Sequence, residues 1–245
     1  MFPVICKFGP LTVYSYGLML ALAIVVCSHF LSRDAQQALG IKPELIYDFV
    51  FWTVLGGIIG ARIFFVFLNL DIFISDPLEI IRLQNGGLCW QGGLILGTAV
   101  GIYFVRKNKW PVWKMADLVA PYLALGQSIG RIGCFLNGCC YGKPVSWGIY
   151  FPVHNEHLHS TQLYESVGLL LLFFVLKNVQ KSTKFEGQIF LLYLLSAVTL
   201  RFLNEFFRAD HDNIFFGLSI FQLACIIILL GASYVYTNLN RRSRP

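Results

Sequence analysis

Apolar residues fill seven long stretches of the chain, and short segments that carry most of the charge separate them. Most of these stretches are close to the ~20 residues that an α-helix needs to cross the hydrocarbon core of a bilayer. The pattern therefore predicts an all-α integral membrane protein, a polytopic bundle of about seven transmembrane helices. We place the spans at residues 13–32, 46–68, 88–105, 116–136, 162–177, 185–206 and 215–236.

The fourth stretch is the weakest of the seven, because Pro121, Gly126 and Gly130 interrupt it. Helix-breaking residues are tolerated at membrane depth where the backbone faces other protein or a water-filled cavity. We therefore expect a discontinuous fourth span that lines a cavity.

Glycines recur at four-residue spacing within three of the stretches. They are Gly56 and Gly60, then Gly93, Gly97 and Gly101, then Gly126 and Gly130. Small residues at this spacing let helix backbones approach closely in lipid. We interpret these glycines as helix-packing residues.

Lysine and arginine fall mostly in alternate connecting segments. The chain has 19 of these residues, and 12 of them lie in four segments, at residues 33–42, 106–114, 177–184 and 241–244. Segments rich in lysine and arginine stay on the cytoplasmic side of a membrane. The alternation therefore predicts an N-terminus outside and a C-terminus in the cytoplasm, which requires an odd number of spans.

The composition agrees with this prediction. Hydrophobic residues make up 56% of the 245 residues, charged residues make up 13%, and the mean hydropathy is +0.64. A soluble domain carries about 25% charged residues. We therefore expect a single transmembrane domain over residues 1–245, with the lipid bilayer as its partner. The net charge of +6 follows from the basic loops, so nucleic acid is not expected as a partner.

Three of the seven cysteines, Cys134, Cys139 and Cys140, lie close together in the sequence. Such a group resembles a metal or redox site, but no second cysteine pair and no C-x-x-C motif accompanies it. The alternative is that these are small packing residues, because a disulfide between adjacent cysteines is strained. We favour packing and predict neither a metal site nor a cofactor.

Arg131 stands at the outer end of the fourth stretch, where charge is costly. An arginine within a membrane costs at least ~2.5–3.5 kcal/mol on insertion scales. Such a residue pairs with an acid, a carbonyl or an anionic ligand. Arg131 is therefore either a tie between helices or part of an anion site.

A second charged group, Arg201, Glu205 and Arg208, ends the sixth stretch. Positions four and seven residues apart share one face of a helix, so Glu205 is expected to contact both arginines. One carboxylate against two guanidinium groups leaves a surplus positive charge. The group is either a self-satisfied ion-pair ladder or an anion site.

The fifth stretch opens with a polar motif in which His159, Gln162 and Glu165 recur every three residues. Ser160 or Thr161 is expected to cap this helix, and an early glutamate suits the helix dipole. A helix start does not explain the three-residue repeat, so the motif is also a candidate for binding or catalysis.

Two further polar residues belong to the second and third stretches. Arg62 could bind a ligand, or it could pair with Asp71 or Asp76. Gln91 stands in a glycine-rich motif where a loop enters the third stretch. On the predicted topology these polar groups gather toward the outer side.

Several arginines and few acids at one side of a membrane indicate a phosphate site within reach of lipid. Guanidinium is the group best suited to bidentate phosphate contact. The substrate implied is an anionic phospholipid of the outer leaflet. Two alternatives share these features: another phospholipid-headgroup transferase, and an anion transporter, for which intramembrane arginines and a broken helix are also typical.

Six motifs follow one another along nearly the whole chain. The most specific is G-R-I-G-C-F-L-N-G-C-C-Y-G at 130–142. The others are Tyr16-Gly17-Leu18-Met19, Gly60-Ala61-Arg62, Gly86-Gly87 with Gly93, H-S-T-Q-L-Y-E at 159–165 and R-F-L-N-E-F-F-R at 201–208. In this order they resemble the bacterial prolipoprotein diacylglyceryl transferase family.

The resemblance implies a multi-pass enzyme of the bacterial inner (plasma) membrane, with its active site toward the outer leaflet and no cofactor. It implies transfer of a diacylglyceryl group from phosphatidylglycerol to the lipobox cysteine of a prolipoprotein signal peptide, with release of glycerol 1-phosphate. The catalytic candidates are Arg131, Arg201, Glu205 and His159. The substrate-binding candidates are Arg131, Tyr16, Arg62, Gln91, Asn137, Gly142, Gln162, Tyr164, Glu165 and Arg208.

The chain departs from the family pattern at three places. Gln91 replaces a histidine that is a proposed base, and Cys134 and Cys139 stand where many members have asparagine and glutamate. A serine replaces the proline of the H-P-x-Q-L-Y-E pattern. Because glutamine cannot accept a proton at neutral pH, the base is open among His159, Glu165 and the substrate phosphate.

Overall fold

The computed structural model describes residues 1–8, 11–82, 86–209 and 217–243. The chain divides into two compact units. The first comprises Met1–Leu31 and Ala116–Pro245, and the second comprises Ser32–Met115. Arg244 and the first two residues of the span expected at 215–236 lie outside the described residues.

Within the described ranges, seven long helices match the seven apolar stretches. They are α1 (Ser15–Leu39), α2 (Pro43–Leu68), α4 (Trp90–Lys107), α5 (Val112–Asn137), α6 (Thr161–Val179), α7 (Gln188–Glu205) and α8 (Ile220–Arg242), with a short α3 (Leu70–Ser75) after α2. Four of them, α1, α2, α6 and α8, are long and apolar enough to cross a bilayer. The chain is a helical membrane protein. The count of seven spans and the orientation of the termini stay predictions.

Helix α5 runs without interruption through Pro121, so the prediction of a discontinuous fourth span is wrong. A proline inside a helix lacks the N–H that would bond to the carbonyl four residues earlier, here that of Asp117. Gln180, just after α6, donates from Nε2 to this carbonyl oxygen at 3.1 Å. Because the freed acceptor has a partner outside the helix, the helix continues past the proline.

Two short antiparallel hairpins accompany the helices, and the all-α prediction missed them. Strand β1 (Val4–Phe8) pairs with β2 (Leu11–Tyr14), and β3 (Pro144–Phe151) pairs with β4 (Glu156–Leu158). Asn155 precedes β4 with a φ of 53°, a left-handed conformation in which asparagine is enriched. The second hairpin connects α5 to α6, between two motifs of the candidate site.

In the second unit, α2 and α4 pack through their glycines. A Cβ added to Gly60 would run into the Gly92 carbonyl, and a Cβ added to Gly92 would run into the Gly60 carbonyl. At Gly56 an added Cβ would lie 2.8 Å from Val100 Cγ2. The packing interpretation is confirmed for Gly56 and Gly60. In the first unit a Cβ on Gly130 would meet nothing within 4 Å, so packing does not account for that glycine.

In the first unit, α5, α6 and α7 share an apolar core. Its buried members are Ala120, Ala124, Leu169, Leu172, Leu176, Ile189 and Tyr193. The Asp117 carboxylate accepts hydrogen bonds from Gly187 N at 2.6 Å and Phe190 N at 2.9 Å, at the start of α7. Helices α5 and α7 therefore begin side by side and run in the same direction. The end of each lies near the start of α6, which runs the opposite way.

Candidate functional site

Five charged side chains from α5, α6, α7 and the turn after α7 form one ion-pair network. Arg131 Nη2 lies 2.8 Å from Glu165 Oε1, and Arg201 Nη1 lies 3.8 Å from Glu165 Oε2. Arg201 Nη2 lies 2.8 Å from Glu205 Oε2, and Arg208 Nε lies 3.8 Å from the same oxygen. The prediction that Glu205 contacts both of its neighbouring arginines is confirmed.

Among the described residues, three guanidinium groups of this network face two carboxylates, which is a surplus of positive charge. Arg208 is enclosed, with 5% of its side chain exposed, whereas Arg131 and Arg201 keep 22% and 21% exposed. Arg201 Nη1 is buried and has no hydrogen-bond acceptor among the described residues. A buried donor without an acceptor is costly, and more so when it is charged. Arg131 and Arg201 are therefore suited to receive an anion.

Two neutral side chains hold the carboxylates of the network. Asn204 Nδ2 donates to Glu165 Oε2 at 3.1 Å, and Ser219 Oγ donates to Glu205 Oε1 at 2.9 Å. Ser219 also caps α8 in a capping box with Gln222. The sequence-based candidates do not include Ser219. Its S-x-x-Q pattern before an apolar run marks a helix start, but contact with Glu205 depends on the fold.

The turn after α5 is tied to the start of α6. Gly142 N donates to the His159 carbonyl oxygen at 2.9 Å, and Gln162 Nε2 donates to the Cys139 carbonyl oxygen at 2.5 Å. A Cβ on Gly142 would lie 2.6 Å from the Phe207 carbonyl oxygen and close to the side chain of His159. Gly142 therefore stands where backbone segments cross too closely for any other residue.

The expected side-chain cap of α6 is not formed. Ser160 occupies the N-cap position, but its side chain makes no capping hydrogen bond to the described residues. Thr161 Oγ1 donates instead to the Cys140 carbonyl oxygen at 2.6 Å. The capping prediction is wrong because the threonine hydroxyl holds the preceding turn rather than the helix end.

His159 and Tyr164 form an aromatic group at the start of α6. His159 Nδ1 lies 3.2 Å from Tyr164 Oη. The imidazole also packs edge-on against Trp147, with 4.9 Å between ring centroids, and lies 5.4 Å from the Phe207 ring. The imidazole is half-buried and the tyrosine ring is partly exposed. This histidine is thus fixed in orientation while it keeps access to the surface.

Tyr16 and Asn137 lie at helix ends near the Arg131 turn of α5. Tyr16 is in the first turn of α1, and a Cβ on Gly133 would lie 3.3 Å from its Cα. Asn137 is the last residue of α5. Both candidates therefore lie at the end of α5 that carries Arg131.

Arg62 and Gln91 belong to the second unit. The buried Arg62 guanidinium donates to the carbonyl oxygens of Gly86 at 2.6 Å and Gly87 at 2.9 Å, and to three more in the preceding turn. Backbone carbonyls are one of the partner types expected for an arginine at membrane depth. Gln91 Oε1 accepts a hydrogen bond from Cys89 Sγ at 2.8 Å.

Comparison with known families places these motifs in one group. A family model described as prolipoprotein diacylglyceryl transferase matches residues 3–237. The chain belongs to the prolipoprotein diacylglyceryl transferase family. It is a transferase, and the resemblance seen in its motifs is confirmed.

Curated relatives in this family match nearly the whole chain. The phosphatidylglycerol–prolipoprotein diacylglyceryl transferase of Clostridium tetani is 34% identical over 98% of this chain and 98% of its own. Phosphatidylglycerol–prolipoprotein diacylglyceryl transferase 2 of Clostridium perfringens is 37% identical over 94% of this chain and 92% of its own. The Staphylococcus aureus transferase is 32% identical over 93% of this chain and 85% of its own.

In this member of the prolipoprotein diacylglyceryl transferase family, the candidate residues separate into three groups. The ion-pair network contains Arg131, Glu165, Arg201, Glu205 and Arg208. The helix ends and the turn after α5 carry Tyr16, Asn137, Gly142, His159, Gln162 and Tyr164. Arg62 and Gln91 lie in the second unit. The functional roles of all these residues stay predictions.

Proposed function

We propose that the chain transfers the diacylglyceryl group of phosphatidylglycerol to the thiol of the lipobox cysteine in a prolipoprotein signal peptide. Glycerol 1-phosphate leaves, and the precursor gains a thioether-linked lipid. This is the first step of bacterial lipoprotein maturation. Membership of the family and the names of the relatives support this pair of substrates.

The observation that carries the residue roles is the surplus positive charge of the ion-pair network. Arg131 and Arg201 are its more accessible guanidinium groups, and Arg201 Nη1 lacks an acceptor among the described residues. Guanidinium groups bind phosphate oxygens in bidentate fashion. We assign Arg131 and Arg201 to the phosphate of the lipid headgroup, with the enclosed Arg208 as support.

These two arginines act as the glycerol C–O bond breaks. The lipobox thiolate attacks the glycerol carbon, a C–S bond forms, and the phosphate leaves with the electron pair of the C–O bond. Fixed donors aimed at developing charge are typically worth ~3–4 kcal/mol each. Glu165 and Glu205 are positioning residues, because each holds a guanidinium group at 2.8 Å.

The roles proposed for the remaining candidates come from the resemblance of their motifs. Gln91 and Asn137 have amide groups that can hydrogen-bond glycerol hydroxyls. Tyr16, Gly142, Gln162 and Tyr164 of the first unit are further substrate-binding candidates, and Arg62 is one in the second unit.

The thiol proton needs an acceptor, and His159 suits this role better than Glu165. Glu165 faces Arg131 and Arg201, and protonation would break both ion pairs. A histidine imidazole can accept a proton at a ring nitrogen. If His159 takes the proton, the pH profile of the transfer rate changes in His159→Gln. An unchanged pH profile would remove His159 and leave the substrate phosphate.

We further propose that residues 1–245 form one catalytic domain in the bacterial inner membrane, with seven spans and the site toward the outer leaflet. The four apolar helices and the alternating basic segments support this placement. A headgroup site at that leaflet would meet both the donor lipid and a translocated signal peptide.

The deciding experiment incubates purified protein with phosphatidylglycerol and a lipobox peptide, and measures released glycerol 1-phosphate. We expect Arg131→Ala and Arg201→Ala to insert into membranes and to lose transfer by about 10²-fold or more, as when one donor to a developing charge is removed. Arg82→Ala is the matched control, because Arg82 is exposed and pairs with Asp76 and Glu79 in the second unit. Near-normal transfer by either of the first two variants would refute the phosphate clamp.

The same assay separates the two alternatives. Release of a headgroup product from another phospholipid, without lipidation of the peptide, would identify a different transferase. Anion flux through proteoliposomes without any product would identify a transporter.

A further inference from the structure

The thiols of Cys134, Cys139 and Cys140 form a cluster that the proposed reaction leaves unused. Cys134 lies three residues after Arg131 in α5, and the other two lie in the turn that follows. The three Sγ atoms lie within 4.8 Å of one another, and all three residues are half-buried free cysteines. The sequence predicts that these cysteines are small packing residues, but packing alone does not require that all three sulfurs converge.

The spacing of the sulfurs fits a metal ion. Zn²⁺ binds thiolates at ~2.3 Å in a tetrahedral arrangement, which sets two sulfurs ~3.8 Å apart. Sulfurs that already lie within 4.8 Å of one another need only small side-chain rotations to meet one ion. Thiolate ligands select soft cations such as Zn²⁺ and Cu⁺ over Mg²⁺ and Ca²⁺.

Hydrogen bonds and one unusual backbone conformation hold the three cysteines in place. Cys140 has a φ of 62°, a left-handed conformation that is uncommon for a residue with a side chain. Its carbonyl oxygen accepts from Thr161 Oγ1 at 2.6 Å. The Cys139 carbonyl oxygen accepts from Gln162 Nε2 at 2.5 Å, and Cys139 N donates to the Cys134 carbonyl oxygen at 3.2 Å. The turn is therefore fixed with its thiols converging.

The surrounding charge favours thiolate ligands. Arg131 precedes Cys134 by three residues in α5, and the backbone of Arg208 pairs with that of Gly142, two residues after Cys140. Three thiolates around a divalent cation carry a net charge of −1, which these neighbouring guanidinium groups offset.

We propose that Cys134, Cys139 and Cys140 bind one thiophilic cation of the Zn²⁺ class and leave one coordination position open for the acceptor thiol of the substrate. Zinc sites with three protein ligands and an open fourth position are those that perform catalysis. The inference rests on the proposed function and deepens it, because it states how the acceptor thiol becomes a nucleophile.

A thiol that coordinates such an ion is deprotonated outright. The displaced proton passes to His159, the acceptor proposed above, and the bound thiolate attacks the glycerol carbon of the lipid. The C–S bond forms as the C–O bond breaks, and the phosphate leaves with the electron pair of that bond. No strong protein base is needed in this scheme, so glutamine at position 91 is no obstacle to the reaction.

The binding test uses purified protein that a phosphine has reduced and a chelator has freed of metal. Titration with Cd²⁺ should give a thiolate-to-metal charge-transfer band that saturates at one equivalent and that Zn²⁺ displaces. Cys139→Ser and Cys140→Ser should weaken or abolish the band, whereas the matched control Cys6→Ser/Cys27→Ser should keep it. Helical circular dichroism and size-exclusion chromatography in detergent verify that each variant is folded.

Three results of this titration would overturn the proposal. They are no uptake by the wild-type protein, an equal band in Cys139→Ser, and a disulfide among the three cysteines that persists after the phosphine treatment and prevents metal uptake.

The activity test separates this proposal from the proposed function. Removal of metal should slow transfer to the lipobox peptide by about tenfold or more, because a free thiol with a pKa of ~8.5 is only ~3% ionised at pH 7. One equivalent of Zn²⁺ should restore the rate, and Arg131→Ala should still bind one equivalent of Cd²⁺ through its three thiolates yet fail to transfer. Transfer that a chelator does not slow overturns the metal proposal alone. Absence of transfer by Zn²⁺-loaded wild-type protein overturns the proposed function and, with it, the open position for the acceptor thiol.

Discussion

Glu165 joins the two accessible arginines of the site. Its carboxylate oxygens lie 2.8 Å from Arg131 and 3.8 Å from Arg201, and Asn204 donates to one of them. A carboxylate between two guanidinium groups offsets their mutual repulsion. A phosphate that binds both Arg131 and Arg201 would therefore find the two guanidinium groups already held close to each other by Glu165.

Glu165→Gln keeps the shape of this side chain and removes its charge. We expect a folded protein whose kcat for transfer falls about 100-fold, because a misplacement of ~1 Å in a catalytic group can cost that much. The KM for phosphatidylglycerol should change less, since both arginines remain. Steady-state release of glycerol 1-phosphate measures both constants. Glu44→Gln, on the exposed surface of α2, is the control, and equal kcat values for the two variants would contradict the positioning role.

Gly142 offers a test of packing at a single residue. An added Cβ would lie 2.6 Å from the Phe207 carbonyl oxygen, so Gly142→Ala should lower the free energy of unfolding by ~1–3 kcal/mol. Gly130→Ala is the contrast, because its Cβ would meet nothing within 4 Å and alanine favours a helix by ~0.5–1 kcal/mol over glycine. Thermal unfolding in detergent compares the two. The same transition temperature for both variants would show that the crossing at Gly142 is not tight.

Sequence spacing predicts contacts between side chains of the same helix. Arg201, Glu205 and Arg208 follow one another in the chain, and their predicted contacts are present. Arg131 and Glu165 are 34 positions apart on different helices, so no local pattern contains their contact. The three thiols converge in a turn where Cys140 has a left-handed backbone conformation. The sequence does not predict this conformation, because cysteine rarely adopts it.

Among the elements, α5 shows how a helix that contains a proline stays whole. The sequence correctly signals that Pro121 frees a backbone carbonyl. It does not predict that Gln180, in the turn after α6, donates a hydrogen bond to that carbonyl oxygen. Whether Pro121 breaks α5 thus depends on the side chain of Gln180, 59 positions later in the chain. The packing of α5 against α6 brings this side chain near.

Asp117 lies at the same place and joins α5 to α7. Asp117→Ala should lower the free energy of unfolding by ~1–3 kcal/mol, because the buried N–H of Gly187 and that of Phe190 would lose their acceptor. Asp117→Asn should cost less, since one acceptor oxygen remains. Thermal unfolding in detergent measures both, with Asp48→Ala on the exposed surface of α2 as the control. An Asp117→Ala variant as stable as the control would exclude this carboxylate as a tie between the helices.

For the whole molecule, length and hydropathy give different counts of spans. Seven helices of the described chain have 18 or more residues, but only α1, α2, α6 and α8 are also apolar enough to be recognised as spans. The other three contain polar or charged residues that lower hydropathy: Gln91 and the basic last turn of α4, Arg131 in α5, and Arg201 with Glu205 in α7. Polar groups are accepted at membrane depth when they are paired inside the protein, as these arginines are.

The side on which the C-terminus lies decides between the two counts. Four spans would return the C-terminus to the side of the N-terminus, whereas seven would place the termini on opposite sides. The basic residues at 106–114, 177–184 and 241–242 all fall on one side only if α4, α5 and α7 cross as well. We therefore expect alkaline phosphatase to be inactive when it is fused after residue 110, 183 or 243, because these positions are predicted to be cytoplasmic. Alkaline phosphatase fused after residue 150 should be active, because this position is predicted to lie outside. A fluorescent protein at the same positions should give the reverse pattern. Phosphatase activity at residue 243 would exclude seven spans, because no odd number of crossings from an outside N-terminus ends outside.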